Sequence, residues 1–324
     1  MEFNYKIYLD NNKDLIHLNK EEAYKHWIQS GIYENRRCNN IIANFETNIT
    51  IIIHLFKEHL FDEFVEYINN VKTVFSLVTV IFTININSDF DKVIKNHDPN
   101  FIIIKVVNKG VDIYPFIESI KYIRQNIIKS DYILKLHTKE SNLQRFDFLE
   151  WRKQLIEPIT NINNLYIIQH YFKNVKNIGF VGAQRCVLPK NFDLDFMPNI
   201  IGINQLCDKF HHLEKNWTDF VAGTMFWINN EVLDKYLTNE LINYLSDKFT
   251  YEKPPSNYES HVHIEYLCER MFTGIFCYSR TNILVNEFSH INRGISYTGG
   301  YIDNKYFYQP NIFSFNIPKN NILN

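Results

Sequence analysis

No glycine-rich phosphate loop of the dinucleotide-binding or Walker type occurs in the 324 residues, which weakens dehydrogenase and NTPase readings. The five cysteines (Cys38, Cys186, Cys207, Cys268, Cys277) are scattered, odd in number and free of any C-x-x-C pair. Neither a disulfide framework nor a zinc knuckle is expected, and a reducing compartment suits such a chain. No apolar run approaches the roughly 20 residues that span a bilayer, so no integral membrane segment is expected. The opening Met1-Glu-Phe-Asn-Tyr-Lys6 lacks a signal-peptide pattern. The expected compartment is therefore the cytoplasm (a host's cytoplasm were the source viral). Charge of one sign is missing too: a net charge of -2 gives no electrostatic case for nucleic acid or an anionic membrane as partner. Any phosphate-binding cations must be local.

What is present is enough apolar material for a substantial core, at 45% hydrophobic residues, so a folded chain is expected. Residues 4–38 differ from the rest. Asn19 is a plausible N-cap with Glu22 three positions on, Ala23, Trp27 and Ile28 share a helical face, and Ser30-Gly31 ends the helix. So small a unit must dock on something. From Thr47 onward strands and helices alternate. Strands are expected at 49–56, 74–84, 101–107 and 133–136, and helices at 60–71, 114–128 and 146–156. Further strands are expected at 177–181 and 220–228, and a helix at 258–272. Short alternation of this kind argues for a parallel sheet with crossovers on both faces, and ligands then bind at the carboxyl ends of the strands. Phe56-Lys57, Asn108-Lys109-Gly110 and His137-Thr138-Lys139 fall along that rim.

Lys135, His137 and Lys139 alternate along one face if the strand continues through them. Cations so placed make charge-assisted hydrogen bonds to phosphate oxygens. The competing reading is a strand cap at His137 and a solvated loop after it. Asn108, Gly110 and Asp112 occupy a strand-to-helix turn, where turn chemistry and N-capping compete with contacts to a ligand. Arg152 is either a phosphate contact or a surface helix arginine. Two Asp-x-Asp strings, Asp89-Phe-Asp91 and Asp193-Leu-Asp195, and the string His261-x-His263-x-Glu265 are the alternatives that would hold a metal.

Taken in order, several strings resemble the rhamnan synthesis protein F family. They are Ile52-Ile-His-Leu-Phe56 with Leu60-Phe-Asp-Glu-Phe64, Val107-Asn-Lys-Gly-Val-Asp-Ile-Tyr-Pro-Phe116, and Leu134-Lys-Leu-His-Thr-Lys139. Glu150-Trp-Arg152, Ala222-Gly-Thr-Met-Phe-Trp227 and Glu269-Arg-Met-Phe272 follow. The N-terminal unit, with Gly31, Glu34 and Arg36, resembles a helical module attached to some bacterial and giant-virus glycosyltransferases. It is read either as a helical cap or as a contact for a protein partner through residues 4–38.

The resemblance implies a small helical module over 1–45 and a glycosyltransferase domain of the GT-A type over 46–324. The expected fold is α/β, a mixed, mostly parallel sheet with helices on both faces. It further implies transfer of a sugar, such as L-rhamnose or another deoxyhexose, from a nucleoside-diphosphate donor to a glycan acceptor. In GT-A enzymes the strand at this point delivers an Asp-x-Asp that holds a divalent metal. Here Leu136, His137 and Thr138 stand there, so inverting transfer with no metal and no cofactor is expected. The donor-binding candidates are His54, Asn108, Gly110, Asp112, Lys135, His137, Lys139, Arg152, Gly223 and Trp227. The catalytic candidates are His137 and the acids Asp219, Glu259 and Glu265, one of which would take the acceptor's proton. A non-catalytic glycan-binding or scaffold domain that kept the fold is the rival.

Overall fold

The computed structural model describes residues 3–31, 34, 36, 46–140, 148–188, 197–217, 219–251 and 263–285. Two short helices, α1 (Tyr5–Asn11) and α2 (Lys20–His26), open the chain. Asn19 caps α2 in a full capping box with Glu22, as the sequence predicts. Tyr8, Leu15, Ala23 and Trp27 form a small core of their own. Gly31 follows at a point where a Cβ would lie 2.1 Å from the Tyr8 hydroxyl, so only glycine fits that approach.

The main body then runs β1 (Asn48–His54), α3 (Phe61–Val74), β2 (Leu77–Asn85), α4 (Asp91–His97), β3 (Ile102–Val106), α5 (Ile113–Gln125) and β4 (Tyr132–His137). It continues with α6 (Phe148–Thr160), α7 (Ile162–Asn174), β5 (Ile178–Ala183), β6 (Val187–Leu188), α8 (Met197–Lys209), β7 (Phe220–Val221) and β8 (Phe226–Asn229). Last come α9 (Asn230–Tyr236), α10 (Asn239–Lys248), α11 (Ile264–Arg270) and β9 (Thr281–Val285). The seven-stranded sheet has the order β3-β2-β1-β4-β8-β5-β9. β3, β2, β1 and β4 are mutually parallel, β8 is antiparallel to both β4 and β5, and β9 is parallel to β5. This is the expected mixed, mostly parallel α/β architecture.

Both faces of the sheet are covered, which is why its strands read as nearly continuous apolar runs. Alternation divides them. Ile51, Ile53, Val80, Phe82, Leu134, Leu136 and Trp227 pack into the layer with α3, α6 and α7. Ile52, Ile81, Ile133, Phe226 and Ile228 face α5, α8, α9, α10 and α11. The N-terminal core docks through Tyr166 and Ile167 of α7, with Trp27 edge-on to His170 at 4.7 Å.

Two expectations need correction. The strand foreseen across 220–228 is two strands: β7 pairs with β6 in a separate ribbon, and β8 enters the main sheet. The break is Gly223 (φ 83°) and Thr224 (φ 53°), two consecutive left-handed residues that no strand accommodates. Second, α7, α8, α9 and α10 occupy stretches in which no helix was foreseen. The helix expected over 258–272 is described from Ile264 on, its start lying outside the described residues.

Candidate functional site

β1 leads to β2 and β3 on one side, while its other neighbour is β4, so the strand order reverses between β1 and β4. Ligands of open α/β sheets bind at such a point, outside the carboxyl ends of the strands. Register places Thr83, His54 and His137 side by side there, at the ends of β2, β1 and β4. All three side chains share the face that carries Ile52 and Lys135. Thr138 closes the turn behind them: its hydroxyl accepts from the amides of Phe56 (3.0 Å) and Lys57 (2.9 Å).

His54 Nδ1 lies 3.0 Å from Thr83 Oγ1, whose own proton is directed to the Ile53 carbonyl at 3.5 Å. Burial, with Lys135 adding, lowers His54 to about 4 against the pull of Asp112. His137 Nδ1 faces Asp112 Oδ2 at 3.5 Å without a hydrogen bond. Burial drives His137 well below the usual imidazole range; Asp112 opposes this, and Lys135 and Lys139 reinforce it. Both rings are therefore neutral near pH 7.

Asp112 stands at the N-cap of α5 without capping it. Its carboxylate looks into the sheet instead. Oδ2 accepts from Lys135 Nζ at 2.5 Å and from the Thr224 hydroxyl. Lys135 Nζ also donates to the Thr224 carbonyl (2.9 Å) and to Thr224 Oγ1 (3.0 Å), so its three protons are all used. Lys135 is only 1% exposed. Burial lowers its pKa, and Asp112 opposes this by favouring the ammonium form. Burial of Asp112 would raise its pKa, but the neighbouring His137 and Lys135 and the hydrogen bonds from Lys135 and Thr224 prevail and hold it well below the usual carboxylate range. The pair fixes Thr224, a β-branched residue in a conformation such residues rarely adopt, the kind of strain that marks functional sites.

Lys139 is different. Its ammonium has no hydrogen bond or ion pair among the described residues, and sits 4.0 Å over the Trp151 ring. It also lies 3.7 Å from where a Cβ of Gly223 would be. Burial lowers its pKa, with Glu269 opposing. Glu269 accepts from the Gly223 amide at 2.6 Å, so it fixes the same turn from the other side. Arg152 clamps Glu63 through two hydrogen bonds (2.9 and 2.7 Å) and donates to the Lys139 carbonyl at 3.1 Å.

The expected residues thus divide. His54, Asp112, Lys135, His137, Lys139 and Gly223 come together at the switch point. Lys135 and Arg152 are spent on carboxylates, so they position neighbours and do not present a free cation. Trp227 is fully buried, donates its indole N–H to the Ile159 carbonyl, and packs on Phe75 and Phe172, which makes it core and removes it from any sugar surface. Asn108 is exposed. Gly110, at φ 62°, donates to the Thr250 carbonyl and leaves no room for a Cβ against Phe249. Thr83, Thr224, Glu63 and Glu269 were not singled out from the sequence as site residues, although Glu63, Thr224 and Glu269 lie inside recognised strings.

Of the acids, Glu265 on α11 is buried, and neither carboxylate oxygen has a hydrogen-bond partner among the described residues. Burial raises its pKa and the charge of Asp112 adds to the rise, while His263 opposes it. Asp219 is exposed, just before β7. Glu259 lies outside the described residues, as do His261, Asp193 and Asp195. Among the described residues no group of three or more His, Cys, Asp or Glu side chains could hold a metal ion. No helix among them is long and apolar enough to cross a membrane. No curated protein matches the chain. The family model described as rhamnan synthesis protein F matches residues 9–276.

Proposed function

Because the chain belongs to the rhamnan synthesis protein F family, we propose that it is a glycosyltransferase acting on a nucleoside-diphosphate sugar and a glycan acceptor. The observation that carries the reading is Lys139, an ammonium with no hydrogen bond or ion pair among the described residues, beside the turn at Gly223 and next to the strand-order reversal. A sugar leaves its donor with the C1–O bond breaking toward the diphosphate, which takes the electron pair. Lys139 meets the charge that develops there, in the place where a metal would otherwise act. Gly223, free of a side chain, lets the donor approach that ammonium.

Transfer also requires that the acceptor hydroxyl lose its proton as its oxygen bonds to C1. Glu265 suits this role, because it is buried and because burial, with Asp112 adding, raises its affinity for a proton. Residues 1–45 are read as an appended helical module and 46–324 as the transferase domain. The proposed donor is an activated deoxyhexose such as L-rhamnose, with inversion and without a metal. Release of nucleoside diphosphate from UDP-, dTDP- and GDP-sugars in the presence of glycan acceptor tests the reading. Activity should survive EDTA and fall by at least tenfold in Lys139→Ala. Loss in EDTA that Mg²⁺ or Mn²⁺ restores would overturn the metal-free assignment, and an unaffected Lys139→Ala would overturn the phosphate assignment. A scaffold would bind none of the donors.

A further inference from the structure

The residues at the strand ends were expected to act as one cationic cluster. The structure separates them into two chemically opposite halves. On one side is Lys139, a donor of hydrogen bonds without an acceptor among the described residues. On the other are His54, His137 and Asp112. Each of these three has an atom with no hydrogen-bond partner among the described residues: Nε2 of His54, Nε2 of His137 and Oδ1 of Asp112. His54 is 9% exposed and His137 5%, so two nine-tenths-buried imidazoles stand without a partner on that nitrogen.

Tautomers follow from the neighbours. Thr83 Oγ1 directs its proton to Ile53, so His54 Nδ1 carries the proton it shares with Thr83 and leaves a lone pair on Nε2. His137 turns Nδ1 toward a carboxylate at 3.5 Å, which likewise favours the proton on that nitrogen and a bare Nε2. All three groups then act as acceptors. A phosphate, itself an acceptor bearing negative charge, is repelled by this set. A divalent metal competes with Lys135, whose ammonium already sits on Asp112. What fits is an uncharged ligand that donates.

We propose that His54, His137 and Asp112 form an acceptor subsite for the hydroxyl groups of a sugar ring, separate from the anion subsite at Lys139. This rests on the reading of the protein as a user of nucleotide sugars. The ring is either the pentose of the nucleotide or the sugar to be transferred, and both offer ring hydroxyls as donors (a 2′-deoxyribose only its 3′-hydroxyl). A donor bound this way lies with its diphosphate over Lys139 and a ring over the two imidazoles.

The test is calorimetry on the full chain. The probes are inorganic pyrophosphate, the tightest-binding nucleoside diphosphate of a UDP, dTDP and GDP panel, its 2′,3′-dideoxy analogue, and the matching sugar nucleotide. His137→Phe and His54→Phe keep a ring and remove the nitrogens. Loss of one hydrogen bond to a hydroxyl corresponds to about a tenfold loss of affinity. That loss is expected for a hydroxyl-bearing probe, with pyrophosphate unchanged in both variants. Lys139→Ala should do the reverse and weaken every phosphate-bearing probe, pyrophosphate included. If the loss appears with the diphosphate but not with its dideoxy analogue, ribose is the ring; if only with the sugar nucleotide, the transferred sugar is.

Equal loss with the diphosphate and its dideoxy analogue, or loss with pyrophosphate, would overturn the hydroxyl assignment. So would unchanged binding of all probes by both histidine variants. Failure of the wild-type chain to bind any nucleotide or sugar nucleotide would remove the nucleotide-sugar reading itself. The two failures are therefore distinguishable. Circular dichroism of each variant serves as the folding control; neither substitution removes an acceptor that another buried donor needs, and His54→Phe removes only the N–H that Thr83 Oγ1 accepts.

Discussion

Replacing Lys135 by methionine isolates its buried ion pair with Asp112. The side chain is flanked by Phe116 and Phe226, whose ring centres lie 5.6 and 6.0 Å from Nζ, so an apolar chain of similar length finds contacts there. What is lost is electrostatic: the 2.5 Å bond to Asp112 and the two bonds that hold Thr224. Asp112 is then left with the Thr224 hydroxyl and a neutral imidazole, a nearly uncompensated carboxylate. Removing one partner of a buried pair costs about 3–5 kcal/mol. Release of Thr224 from its left-handed conformation returns part of this, since such strain is worth about 1–3 kcal/mol. The net expectation is destabilisation of about 2–4 kcal/mol. Urea unfolding of Lys135→Met, Asp112→Asn and the double variant measures it. The double variant should be more stable than the sum of the singles by about 1–3 kcal/mol, because the second substitution removes the stranded charge. A Lys135→Met cost below about 1 kcal/mol, or strict additivity of the two, would refute the assignment of Lys135 as the counter-ion that holds Asp112 and the turn.

Two further predictions concern protons. Glu265→Gln should stabilise the protein at neutral pH by about 1–3 kcal/mol while lowering turnover, because it removes a buried carboxylate without a hydrogen-bond partner among the described residues. Since the folded protein holds the Glu265 proton more tightly than the unfolded chain, that group's stabilising contribution is full below about pH 4.5 and is lost as pH rises. The gap in urea midpoint between the variant and the wild type should widen upward from there; a constant gap would count against a raised Glu265. His54 has the opposite sense. Its folded value of about 4 lies below the ordinary 6.5, so the unfolded chain binds its proton first and stability falls as pH drops from 6.5 toward 4. His54→Gln should flatten part of that acid slope, and an unaltered slope would exclude a neutral buried His54.

The residues that reach the switch point were legible because strand ends are written in the sequence twice, once as the end of an apolar run and once as the polar residues that follow it. His54, His137 and Lys139 were found in that way, and the turn residues Gly110 and Gly223 declared themselves by type. The break at Gly223-Thr224 was less legible, because six of the nine residues from Phe220 to Ile228 are strong strand formers. The strand propensity of Thr224 is overruled by Lys135 and Asp112, partners 89 and 112 positions away in sequence. Helix α10 was missed for a related reason: only Leu241, Ile242 and Leu245 face the core in a segment otherwise polar, too few to mark a period against the background.

Charge state was the quantity that sequence could not supply. Read along the strand, Lys135, His137 and Lys139 look equivalent, three basic residues on one face. Burial makes them unlike. Lys135 is paired with Asp112, a residue that the sequence offers as a turn or helix cap, and that pairing uses up its protons. His137 is stripped of its proton by the same dry surroundings. Only Lys139, at the end of the strand and beyond the reach of Asp112 as a hydrogen-bond acceptor, keeps an ammonium with no hydrogen bond or ion pair among the described residues. A metal-free donor site built on this chain therefore rests on one lysine and on the strained turn beside it. The imidazoles are left for recognition, and so the separation of pyrophosphate binding from hydroxyl binding is the measurement on which the reading of the whole site turns.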